Sequence, residues 1–167
     1  MERFVKSIRQ SIADKNWFAA IFISLALPDI CGAAETPKAN SGERYKRWFN
    51  ENLKDKYDPD GAALVRFTAD DCYKFRCSCL HSGMSKDNKR HFKLIPPHGW
   101  QVRHKVSING IIVLQIDILC EDICQAVEKW AFENRNNANV MHRLNELIRV
   151  EFLNIGGIYI GPEPGTF

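Results

Sequence analysis

An arginine and a histidine separated by four residues, Arg76 and His81, stand in the segment Asp-Cys-Tyr-Lys-Phe-Arg-Cys-Ser-Cys-Leu-His-Ser-Gly over 71–83. A guanidinium cannot be neutralised and is costly to bury alone, so Arg76 on the inner face of a helix needs a carboxylate, a subunit seam or a bound anion. An imidazole titrates near neutrality and can give or take a proton. Together, a fixed cation and a proton carrier suit cleavage of RNA by its own 2′-hydroxyl, with charge on the pentacoordinate phosphorus held by the cation and no metal required.

The element that carries the pair reads as a helix. Thr68 with Asp71 three residues on forms a capping box, Gly83 is a natural stop, and Asp70 and Asp71 suit the positive end of the helix as His81 suits the negative one. At 100° per residue, Cys72, Phe75, Cys79 and Leu80 form an apolar stripe containing Arg76, with His81 pointing roughly 140° away and Tyr73 and Cys77 on the arc between. One straight helix therefore aims the two side chains apart, and two copies related by a two-fold axis would bring them to one phosphate. Asp29 or Glu35 is the expected carboxylate for Arg76, and Arg44 borders the site.

Around that helix the pattern is mainly helical. Phe4, Val5, Ile8 and Ile12 recur at helical spacing over 2–14, and a second, mostly buried helix starts near Asn16 and ends or bends around Pro28 to Gly32. A third, roughly 41–54, should bury Tyr45, Trp48, Phe49 and Leu53. Asn109-Gly110 between two apolar runs predicts a β-hairpin over about 102–116. Leu119, Ile123, Cys124, Val127 and Trp130 then mark a helix, and a last helix runs to about Phe152. The expected architecture is a helical bundle with a small inserted hairpin: one domain over 1–155 and a Gly/Pro-rich tail over 156–167.

The Arg76-x4-His81 motif, followed by Ser82-Gly83 in a helical bundle of this size, resembles the HEPN superfamily, and Leu27-Pro28-Asp29-Ile30-Cys31-Gly32 is similar to segments of bacterial HEPN-like proteins. The resemblance implies a homodimer with the Arg and His at its seam. It further implies a metal-independent endoribonuclease of a toxin–antitoxin or other defence system, leaving a 2′,3′-cyclic phosphate and accompanied by an antitoxin protein. That family usually has Asn, Asp or His directly after the Arg, where this chain has Cys77, so a non-catalytic member that binds RNA, a nucleotide or a protein stays open beside the enzyme. A second match, Arg135-Asn136 with His142, carries the Asn but crosses an Asn-rich break.

Lys86, Lys89, Arg90 and Arg103, interleaved with Phe92 and Trp100, form a basic region where an RNA backbone could lie and a ring could stack. The whole chain offers less: 167 residues, 45% hydrophobic, with a net charge of +3, fit one globular core and no strong nucleic-acid field. The run Trp17 to Leu27 is short for a bilayer, so no membrane association is expected. Six cysteines in a chain larger than typical stapled secreted domains, with no signal-sequence pattern, suggest reduced thiols in a cytoplasmic protein, and without paired Cys-x2-Cys spacing no zinc and no other cofactor is expected. No glycine-rich phosphate loop, zinc-protease helix or nucleophile elbow occurs, which leaves nucleotide hydrolysis and acyl transfer unsupported.

Overall fold

The computed structural model describes residues 1–59, 65–84, 91–150, 153–155 and 158–160, the last two stretches by their backbone alone. Among these residues the chain is mainly helical, with seven helices and a small three-stranded sheet.

Helix α1 (Glu2–Ala13) buries Val5 and Ile8 and leads into α2 (Trp17–Glu35), capped by the Asn16 side chain. Of the two outcomes expected around Pro28 to Gly32, an end or a bend, the helix does not end there: α2 continues for 19 residues with Pro28 inside. Proline removes one backbone donor, but Leu25, Leu27, Pro28, Cys31 and Gly32 are all buried around it, and that packing outweighs the lost bond. Five of the other helices contact α2. By length and composition α2 could cross a bilayer, unlike the shorter run read from sequence, yet half of that apolar stretch is buried inside the protein.

Helix α3 (Ser41–Asn52) starts at an Asn40 cap and buries Tyr45, Trp48 and Phe49. It crosses α2 at Gly32, where a Cβ would lie 2.8 Å from the Arg44 carbonyl oxygen. A side chain there would force the two helices apart, so glycine fixes how closely Arg44 approaches α2. A short α4 (Lys54–Tyr57) follows, then α5 (Ala69–Ser82), which carries the expected capping box and ends at Gly83.

The expected hairpin is present as β2 (Val106–Ile108) and β3 (Ile111–Gln115), paired antiparallel. Asn109 and Gly110 take φ of 51° and 76°, as the tight turn demands. The sheet also holds β1 (His91–Ile95), parallel to β3, so the order is β1-β3-β2. Phe92 on β1 is 2% exposed and packs against Phe67 and Phe75, so this ring belongs to the core and is not available to stack on RNA.

Helix α6 (Ile116–Glu133) rises directly from β3 and buries the expected Leu119, Ile123, Cys124, Val127 and Trp130. Helix α7 (Ala138–Asn145) is shorter than the sequence suggests, with Leu147 beyond it still packed against the core, and β4 (Leu153–Ile155) and β5 (Ile158–Ile160) pair antiparallel after it.

Candidate functional site

The capping box of α5 is complete: Asp71 N–H donates to the Thr68 hydroxyl, while the Thr68 N–H donates to the Asp71 carboxylate. The register it fixes buries Cys72, Phe75 and Cys79 and leaves Arg76 between them and solvent, its side chain 16% exposed. Arg76 Nη2 donates to Asp29 Oδ2 at 3.3 Å. The ion pair anticipated for Arg76 therefore forms with Asp29 on α2. Glu35, the other candidate, instead accepts from Arg47 at 3.3 Å and from the Trp130 indole at 2.6 Å.

Asp29 is shared. Arg44 Nε donates to Oδ1 at 2.6 Å, and the Ser41 hydroxyl donates to Oδ2 at 3.0 Å. One carboxylate thus serves two guanidiniums, and the cluster retains positive charge. Sequence reading found Asp29, Arg44 and Arg76 but missed Ser41; its place beside the Asn40 cap of α3 was the available signal.

Helical projection sets Arg76 and His81 well apart, yet Arg76 Nη1 lies 3.3 Å from His81 Nε2 within one chain. The long side chain of Arg76 reaches along α5 to His81, so the two groups already meet within one copy, and a second copy would add its own pair to theirs. A guanidinium can only donate, so Nε2 must accept and the neutral ring carries its proton on Nδ1. His81 itself is exposed.

Cys77 Sγ lies 3.9 Å from Arg76 Nη1, a weak acceptor contact. Tyr73 packs on Tyr45 with ring centroids 5.5 Å apart, beneath Lys46 and 3.2 Å from the Cβ position of Gly42. Its phenol is pushed above the ordinary value by burial first and by Cys77 second.

The other candidates fall elsewhere. Arg135 follows α6, donating to the Phe132 carbonyl at 2.6 Å and stacking on that ring, while His142 on α7 pairs with Glu146 at 3.4 Å. Each contacts a residue three or four positions away in the chain. Arg103 Nη2 donates to Gln101 at 2.7 Å beside Trp100, which is 92% exposed. Lys86, Lys89 and Arg90 lie outside the described residues.

All six cysteines are free thiols, and Cys77 alone among them is not buried. Burial pushes Cys72, Cys120 and Cys124 up to about 12, so these behave as small apolar side chains. Among the described residues no three His, Cys, Asp or Glu side chains converge as metal ligands.

Sequence reasoning also missed a second histidine centre. His104 Nδ1 accepts the Gln115 N–H at 3.2 Å, so its Nε2 carries the proton of the neutral ring and meets the Tyr57 hydroxyl at 3.1 Å. Tyr57 in turn donates to Asp122 at 2.7 Å, and Lys56 pairs with the same carboxylate. Burial is the main cause that lowers His104 below its ordinary value.

Comparison with known protein families, with curated proteins and with solved structures finds no match to this chain.

Proposed function

We propose that the protein is a HEPN-like, metal-independent endoribonuclease of a toxin or defence system, acting in the cytoplasm as a homodimer whose seam gathers Arg76 and His81 from both copies. The observation that carries this reading is the placement of a partly exposed guanidinium 3.3 Å from an imidazole nitrogen, in a cluster where two arginines share one carboxylate.

Arg76 binds a phosphodiester oxygen and moves its N–H from His81 to that oxygen. His81 Nε2, thus freed, takes the proton of the 2′-hydroxyl as the 2′-oxygen attacks phosphorus. The bond from phosphorus to the 5′-oxygen breaks, and that oxygen leaves with a proton supplied by water or by the imidazolium of the second copy. The products are a 2′,3′-cyclic phosphate and a 5′-hydroxyl. Asp29, Ser41 and Arg44 position Arg76 without touching the reacting atoms. An antitoxin protein that covers the seam is the partner this reading implies.

The test is incubation of the full chain with structured and unstructured RNA in excess chelator, with fragment ends mapped. Arg76→Ala and His81→Ala should each slow cleavage by roughly 10² to 10⁴, the range for loss of a general acid–base or charge-stabilising group. Equal RNA loss in wild type and both variants would reject the enzyme.

Cys77 favours a second reading. A thiol is a poor hydrogen-bonding group beside the motif arginine, and an accessory protein that holds RNA without cutting it would keep Arg76-dependent binding while leaving the RNA intact.

A further inference from the structure

Beyond Asp29, on the side of α7, lies a groove of about 280 Å³ whose walls include Arg44, Arg143, Ile30, Ala33 and Leu147. Its size falls just below the roughly 300 to 1,000 Å³ usual for small-molecule sites, which suits a compact ligand. Arg143 reaches across from α7 to α2, where its Nε donates to the Ala34 carbonyl at 2.6 Å. Neither terminal nitrogen of Arg143 has a partner among the described residues. Arg44 spends Nε on Asp29 and makes only a long 3.4 Å contact from Nη1 to the Ala39 carbonyl, which leaves Nη2 open.

Asp29 is the one carboxylate on this wall, and both of its oxygens are engaged, Oδ1 by Arg44 and Oδ2 by Ser41 and Arg76. It therefore presents little free negative charge to an entering anion. Among the described residues, three guanidinium nitrogens on two helices have no partner, beside aliphatic side chains from α2 and from the residues after α7. A half-buried guanidinium whose only bond is to a backbone carbonyl is under-compensated, and a charge-assisted bond to an anion would correct that.

We propose that this groove binds a small phosphate monoester with an apolar or flat substituent, its phosphate between Arg44 and Arg143 and its substituent against Ile30, Ala33 and Leu147. A phosphate monoester offers three terminal oxygens to the three open nitrogens. A carboxylate offers two and leaves one donor unmet. The site is distinct from the contact between Arg76 and His81, and it stands whether or not the chain cleaves RNA.

Calorimetry and amide-shift mapping on the full chain test this with phenyl phosphate, inorganic phosphate, benzoate and phenol as probes. Phenyl phosphate should bind one to one and shift the amides of Ala33, Arg44 and Arg143, about tenfold tighter than inorganic phosphate or benzoate, while phenol should not bind measurably. Arg143→Gln should weaken phenyl phosphate by about tenfold, the scale of one lost charge-assisted contact. Ala33→Leu, which adds bulk to a residue lining the groove, should abolish binding with the fold intact by circular dichroism. Equal affinity for benzoate would overturn the phosphate assignment. Shifts centred on Arg76 and His81, or binding indifferent to both Arg143→Gln and Ala33→Leu, would overturn the site itself.

Discussion

Asp29 is the residue on which α2, α3 and α5 converge, through Ser41, Arg44 and Arg76. Its side chain is 14% exposed, so removing its charge strands two half-buried guanidiniums. Asp29→Ala should lower unfolding free energy by about 3 kcal/mol in urea titration, at the low end for breaking a buried pair. The rule that a buried arginine needs a partner made this cluster legible in the sequence. Arg143 was not, because its value lies in a groove formed by helices more than a hundred positions apart in the chain. The side chain of His104 makes a different prediction. Folding holds it neutral, with a pKa below the ordinary 6.5, so the unfolded chain binds the proton first as pH falls. Stability should therefore decline as pH drops through about 6.5 and level off below the folded-state value. Urea midpoints of wild type and His104→Gln across that range should show a steeper decline in wild type, and parallel curves would remove His104 as the source.

At the scale of elements, the capping box sets where α5 begins and hence which face Arg76 occupies. Thr68→Ala should cost about 1 kcal/mol in thermal unfolding. Gly32→Ala should cost about 1 to 3 kcal/mol, because the added methyl meets the Arg44 backbone rather than a movable side chain tip. Local signals found α1, α3, α5, α6 and the β2–β3 turn, since caps, helical spacing and Asn109-Gly110 act within a few residues. They failed for β1, whose pairing partner β3 is parallel and twenty positions away. Pro28 left the end of α2 open for the same reason: its cost is local, but the packing that overrides it comes from five other helices.

On the level of the whole molecule, the mainly helical architecture with a small sheet was readable from pattern, while the third strand and the terminal strand pair depended on contacts that pattern does not encode. The proposed seam carries its own measurement. Light scattering should report twice the 19.2 kDa chain mass, and a strict monomer at micromolar concentration would confine any chemistry to the Arg76 and His81 of one copy.

The central position of α2 bears on how the chain comes off the ribosome. Its partners α6 and α7 are made last, and bonds such as Trp130 to Glu35 and Arg143 to Ala34 span 95 and 109 positions. Until those late helices emerge, a greasy segment made within the first 35 residues has no complete shelter, and closing such long loops is slow. The nascent polypeptide must therefore wait, with this segment exposed to chaperones, until α7 at Ala138–Asn145 has been synthesised before it can settle.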